Sequence, residues 1–171
     1  PLKMSVNLSS IQIARDDIAA MVADALALNG IEGQRLTIEL TESALVGDPA
    51  KCRELLETLK RAHVAVAMDD FGTGFSNLAS LQSLPIDVLK MDRSFVTNML
   101  LDPDKLAIVR AILSLSQTLG MKTTAEGIED SASARALKQM GCTFGQGYYF
   151  ARPLVAAEAY EFWRSRRKSV T

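Results

Sequence analysis

The sequence is poor in the groups that bind most transition metals, and it has no excess charge of either sign. Its 171 residues hold one histidine and two cysteines. Cys52 and Cys142 lie far apart and fit no metal-binding spacing, and a reduced, cytoplasmic setting is expected. Lys and Arg number 19 against 20 Asp and Glu, for a formal net charge of -1. That balance offers no overall basic field to nucleic acid or to an anionic membrane. No apolar run approaches the roughly 20 residues that span a bilayer, and no signal peptide opens the chain. The single histidine, His63, falls at a helix-to-strand junction and reads as a turn residue. The chain starts on PLKMSVNLSS, already strand-like and without an initiating methionine. It therefore reads as a piece of a longer protein, in which any membrane anchor belongs to other domains.

What is present is ordinary globular composition, 48% hydrophobic and 23% charged, enough for one domain with a real core. Short apolar runs alternate with helical patterns. The runs are KMSVNLS, LTIELTE, VAVAMDD, VLKMD, KTTAEGIE and FGQGYYF. Between them, DDIAAMVADALALNG stops at Gly30. Two further segments open on Asp-Pro, at Asp48 and Asp102, with the proline at the first helical position. DSASARALKQMG stops at Gly141, and a last helix covers about Ala156 to Arg167. Alternating strand and helix with nearly continuous apolar strands predicts a parallel sheet buried on both faces. Such units build either an open doubly wound sheet or most of a (β/α)8 barrel.

The third run ends on two adjacent carboxylates, Asp69 and Asp70, followed by Gly72, Thr73 and Gly74. Like charges held close repel unless a cation or a shared proton lies between them. A plain turn with Asp70 as cap and Asp69 in solvent is the alternative. The other strand ends are also polar: Asn7, Glu39 and Glu42, Lys90 and Asp92, Glu126 and Glu129, and Gln146. Each alone has an ordinary explanation, as a turn residue, a helix-start charge or a solvated edge. Together they lie at the same end of every strand, as in a barrel with one convergent mouth, and not at one switch point. Oxygen donors without His or Cys suit Mg2+ or Mn2+. A pair of such ions favours in-line displacement at phosphorus.

The segments VNLS, ELTES, MDDFGTGFSNL, LKMDRSFV, AEGIED and GQGYYFARPL resemble, in order and spacing, the EAL-domain family of cyclic di-GMP phosphodiesterases. The resemblance implies a (β/α)8 TIM-type barrel that hydrolyses cyclic di-GMP to linear pGpG with a two-metal-activated water. It implies Mg2+ or Mn2+ as cofactor and Ca2+ as inhibitor. By resemblance, Asn7, Glu39, Asp69 and Asp70 are metal ligands, and Lys90 and Glu126 position or activate the water. Glu42 steadies the glycine loop of Gly72 and Gly74, which is expected to move without substrate, and Gln146 is a late site residue. Asp92 and Glu129 fall on motif positions with less defined roles. The resemblance also implies homodimers through the helix near Ser76 to Leu84 and its neighbour near Phe95 to Leu100. Companion domains, such as a GGDEF or sensor domain, are implied as well.

One departure stands out. The Glu-Ala-Leu signature that names the family is nowhere in the chain. Six strands are legible where such a barrel has eight. Residues 1–171 therefore read as a partial EAL domain supplying about the last six β/α units. The alternative function is a catalytically silent EAL-like module that binds cyclic di-GMP or a protein partner. A barrel enzyme acting on another phosphate ester is a third reading. Open strand edges and the missing ligand lead to the expectation that residues 1–171 alone are unstable and lack phosphodiesterase activity.

Overall fold

A computed structural model of the chain describes residues 2–41, 44, 49–72 and 78–167. Six strands form one sheet: β1 (Met4–Leu8), β2 (Leu36–Thr41), β3 (Ala65–Phe71), β4 (Val88–Met91), β5 (Lys122–Ala125) and β6 (Phe144–Gly145). Every neighbouring pair is parallel, and the strands lie in sequence order from β1 to β6. A doubly wound sheet would reverse its order at a switch point. This one does not, so its right-handed crossovers deliver the helices to one face. That is the winding of a barrel, as the strand-end pattern predicts.

The helices between the strands are α1 (Ser10–Arg15), α2 (Ile18–Asn29), α3 (Pro49–Arg61), α4 (Leu78–Ser83), α5 (Arg93–Val96), α6 (Pro103–Thr118) and α7 (Ser131–Gln139), and α8 (Ala156–Arg167) follows β6. Their ends follow from local chemistry. Asp102 caps α6 by accepting from the amides of Asp104 and Lys105, and Asp130 caps α7 by accepting from Ser133 N at 2.8 Å. Gly30 ends α2 in the left-handed region, at φ 60°, where a side chain would be strained. The cap expected at Asp48 lies outside the described residues. Helices α1 and α5 were not legible from periodicity, because each is too short to show a repeat. Yet α1 carries a full capping box, with Ser9 and Gln12 bonded to each other's backbone amides.

Alternation along each strand sends one set of side chains toward the helices and the other to the opposite face. On β2 and β3, Ile38, Leu40 and Val66 join Cys52, Leu56 and Leu59 in one buried cluster. On β3, β4 and β5, Met68, Leu89, Met91 and Ala125 join Val96, Val109 and Leu137 in a second. The opposite set includes Glu39, Asp69 and Lys90, whose side chains meet each other.

Two expectations need correction. Burial on both faces does not extend to β1, where only Leu8 is buried and Met4 keeps 67% of its surface exposed. With β1 at the sheet edge, Met4 is left largely uncovered by the described residues. The sixth run, read as strand through Phe150, pairs only at Phe144 and Gly145. Beyond them the chain folds over Ile128, whose amide donates to Gln146 O and whose carbonyl accepts from Tyr149 N. A turn then closes between Phe150 N and Gly147 O.

The end of the sheet away from the polar mouth is tied by Asp87, a residue the sequence reading passed over. Its carboxylate accepts from Val66 N at 2.8 Å and meets Lys60 of α3. Its backbone bonds to Val66 O and Lys122 N. One residue thus joins β3, β4, β5 and α3.

Candidate functional site

Lys90 is the centre of the polar mouth. A lysine near the end of a four-residue strand would ordinarily reach solvent, but this one is 6% exposed. Its Nζ lies 2.6 Å from Glu39 Oε2, 2.8 Å from Asp69 Oδ1 and 2.7 Å from Glu126 Oε1. An ammonium has three protons to donate; here carboxylates from β2 and β3 accept two hydrogen bonds from it, and Glu126 at the end of β5 forms an ion pair with it. Burial alone would lower the lysine's pKa. The contacts with Asp69, Glu126 and Glu39 outweigh it and hold the group above its ordinary value. Glu126 moves the other way for a carboxylate. Burial lifts it, the Lys90 contact only partly offsets that, and the charges of Asp69 and Glu39 add to the rise.

Asp70 owes its placement to a break in the ladder. The register between β3 and β4 shifts between Met68 and Phe71, and Asp70 adopts φ 54°. Aspartate tolerates this left-handed geometry better than most residues, and the irregularity re-aims a side chain as bulges do. Asp69 and Asp70 then share the mouth instead of pointing to opposite faces. Carboxylate oxygens of Asp69, Asp70 and Glu126 lie within 4.8 Å of one another. Burial, then the charges of Asp69 and Asp92, raise the pKa of Asp70, and Lys90 lowers it only in part.

The remaining expected site residues fall around this centre. Asn7 pairs in register with Glu39 at the same level of the sheet. Asp92 is the N-cap of α5 and accepts from Ser94 N at 2.9 Å. Burial would raise its pKa, but the Ser94 bonds and the Arg93 charge hold it below the usual range. Gln146 is exposed, with its backbone amide on Ala125 O at 2.8 Å, next to Glu126. Glu129 is exposed and lies just before the Asp130 cap of α7. Gly72 takes φ 96° directly after β3. Glu42 and Gly74 lie outside the described residues, so the expected link between Glu42 and the glycine loop does too. Of the apolar residues expected to be exposed around the dimerising helices, Leu81, Val96 and Met99 are buried, whereas Leu100 and Leu101 are exposed.

The donor set fits hard divalent cations. It is made of oxygen, it is clustered, and its carboxylates outnumber the one ammonium among them. Burial first, and the neighbouring carboxylates after it, raise the pKa of Asp70 and Glu126, and a cation would favour the charged form of both. Sequence reading missed two neighbours, Arg93 and Phe95 of α5, which pack against Gly127 and Gly72. A glycine one residue past Glu126 and another two past Asp70 were the available signals.

Comparison with known proteins agrees with this geometry. The bifunctional diguanylate cyclase/cyclic di-GMP phosphodiesterase MucR of Pseudomonas aeruginosa is 39% identical over 155 residues, 91% of this chain and 23% of its own length. The structure of the MucR phosphodiesterase in complex with c-di-GMP superposes with a TM-score of 0.86 at 38% identity, covering 92% of this chain and 64% of that one. The EAL domain of Mycobacterium smegmatis DcpA superposes with a TM-score of 0.90 at 36% identity, over 95% and 73% of the two chains. A manganese/cy-diGMP complex of Klebsiella pneumoniae BlrP1 gives 0.81 at 28% identity, over 88% and 39%. The chain spans about a fifth of the length of the curated relatives it matches. The model of the EAL domain matches residues 1–153. With the sequential parallel sheet and the acidic mouth in place, the chain belongs to the EAL domain family.

Proposed function

We propose that this chain is the larger part of a divalent-metal-dependent phosphodiesterase domain that opens cyclic di-GMP to linear pGpG. The observation that carries the reading is the Lys90 hub, one buried ammonium bonded to carboxylates from three strand ends. The cyclic di-GMP phosphodiesterase activity of MucR, a family relative, points to the substrate. Partial occupancy of the relatives' domain structures, 64% and 73%, supports six of eight barrel units here.

In this reading Asn7, Glu39, Asp69 and Asp70 would hold two Mg2+ or Mn2+ ions, with Ca2+ as an inhibitory substitute. When bound, the ions would supply Lewis acidity at the phosphate and lower the pKa of the attacking water. Glu126, lifted by burial, accepts the water's proton. Lys90 holds Glu126 and Asp69 in fixed relation and offsets charge at the phosphoryl oxygens. The water oxygen bonds to phosphorus, the bond to the 3′-oxygen breaks, and a proton ends on that oxygen. The products are a 5′-phosphate and a free 3′-hydroxyl on a linear dinucleotide. Asp92, Glu129, Gln146, Glu42 and the Gly72 and Gly74 loop shape the mouth around the substrate. The exposed Leu100 and Leu101 form the apolar centre of a homodimer contact, and companion domains belong to the parent protein.

The exposed, edge-strand position of Asn7 favours a second reading, binding of cyclic di-GMP without turnover. Incubation with cyclic di-GMP and Mn2+, followed by chromatography of the products, separates the two. Appearance of pGpG supports the enzyme, and retention of intact ligand supports the silent module.

A further inference from the structure

We propose that α5 is a spacer that fixes the separation of Asp70 and Glu126, with Phe95 and Arg93 as its positioning residues. Its relevance to metal binding rests on the reading above. Because β4 lies between β3 and β5, the single turn that follows β4 is flanked by the loops leaving β3 and β5. Both loops touch it through a glycine. A Cβ built on Gly72 would stand 3.0 Å from Phe95 Cε2, 3.2 Å from its Cζ and 3.8 Å from Ile112 Cδ1. A Cβ on Gly127 would stand 2.5 Å from Arg93 Cβ and 3.3 Å from its Cα. Both glycines have positive φ, 96° and 69°, so the backbone can turn there and come close at the same points. Gly72 is two residues past Asp70, and Gly127 directly follows Glu126.

The spacer itself is well anchored. Val96 is 1% exposed and Met99 0%. Thr97 N donates to Arg93 O at 2.8 Å, and Asp92 caps the first turn. Asp70 lies where the β3 register shifts against β4. The close approach of Phe95 to Gly72, two residues on, therefore bears directly on the backbone that carries its carboxylate. On one side the Phe95 ring bears on that position, and on the other Cβ and Cα of Arg93 bear on the exit of β5. A dropped ring lets the β3 exit collapse toward α5 and opens the cluster of Asp69, Asp70 and Glu126.

The test compares Phe95→Ala, Phe95→Leu and Leu137→Ala in the natural polypeptide that contains these residues. Leu137 is a core residue of α7, 2% exposed, so its truncation controls for lost stability alone. Free Mn2+ measured by electron paramagnetic resonance gives metal affinity. Amide exchange at Asp70–Gly72 and Glu126–Gly127, measured in chelator, gives geometry without metal. Phe95→Ala is expected to weaken Mn2+ binding by about tenfold, the low end for loss of groups supporting metal ligands. It is also expected to speed exchange at both segments. Phe95→Leu should restore most of both effects, and Leu137→Ala should change neither. Unchanged exchange at both segments in Phe95→Ala, or an equal effect from Leu137→Ala, overturns the spacer. If the parent protein binds no Mn2+, the metal reading fails, and the exchange arm alone decides the spacer.

Discussion

Lys90 Nζ donates to Glu39 Oε2 across 2.6 Å, although their strands are not neighbours. β3 lies between β4 and β2, so the bond crosses over it and collects Asp69 of that strand on the way. Strands two places apart are separated by about 10 Å in a flat sheet. Side chains of these lengths meet when the sheet curls inward, as it does toward a barrel axis. Glu126 from the end of β5 completes the set, and the mouth is held together by one proton donor.

Removal of that donor should therefore unsettle the whole mouth. Lys90→Met leaves Glu39, Asp69 and Glu126 close together without their shared ammonium. The expected loss is about 3 kcal/mol at neutral pH, in the range for breaking a buried pair. The folded pKa of Lys90 is raised above 10.5, so its contribution is complete below that pH and disappears only as pH rises through the higher folded value. Urea unfolding in chelator at pH 7 and pH 10 checks this. Equal stability of the variant and the parent protein at pH 7 would contradict the hub.

Asp70 should show the reverse sign. Its folded pKa is raised above the ordinary carboxylate value, so its contribution to stability declines as pH rises from that ordinary value through the folded one. Asp70→Asn removes the charge and keeps a residue that tolerates φ 54°. In chelator the variant should melt at a higher temperature than the parent protein at pH 7 and at the same temperature near pH 3. Addition of Mn2+ should reverse the order at pH 7, because only the aspartate gains from the ion. A lower melting temperature for the variant at pH 7 in chelator would refute the crowded-charge account.

How much of this was legible in the sequence depended on range. The Asp102-Pro103 helix start, the glycine stop at Gly30 and the polar strand ends are local signals, and the structure follows them. The gathering of Glu39, Asp69, Lys90 and Glu126 at one mouth followed from strand polarity alone. The open edge at KMSVNLS was legible from the strand count, and Met4 and Val6 are exposed there. Other long-range effects were hidden. Folding over Ile128 cuts β6 to two residues despite the apolar YYF. The left-handed Asp70 depends on a mismatch with β4 that no property of MDDFG reveals. Asp87 gives no local signal, although it stands directly before β4 and bonds to β3, β5 and α3.

Asp87 should separate stability from function. Asp87→Ala leaves Val66 N without its acceptor and Lys60 without its partner. The expected cost is about 1–3 kcal/mol for a part-buried donor left unsatisfied, with Mn2+ affinity unchanged because the residue sits at the far end of the strands. Chemical denaturation and Mn2+ titration are the paired measurements. A large loss of metal affinity at unchanged stability would show that the two ends are not independent.

The exposed leucines bear on assembly. Leu101 keeps 86% of its surface exposed and Leu100 44%, and a dimer contact would cover them. Light scattering at micromolar concentration should report a dimer for the natural polypeptide and a monomer for Leu101→Lys. A monomeric parent at every concentration would remove this surface from the account.

Hydrolysis itself is the most direct test. The natural polypeptide containing these residues is incubated with cyclic di-GMP and Mn2+, alongside its Asp69→Asn variant, and linear pGpG is quantified. The account expects pGpG from the parent protein and a rate lower by about a hundredfold or more in Asp69→Asn, a loss of several kcal/mol in stabilising charge at the phosphate. No cleavage by the parent protein, or equal rates for the two, would contradict it.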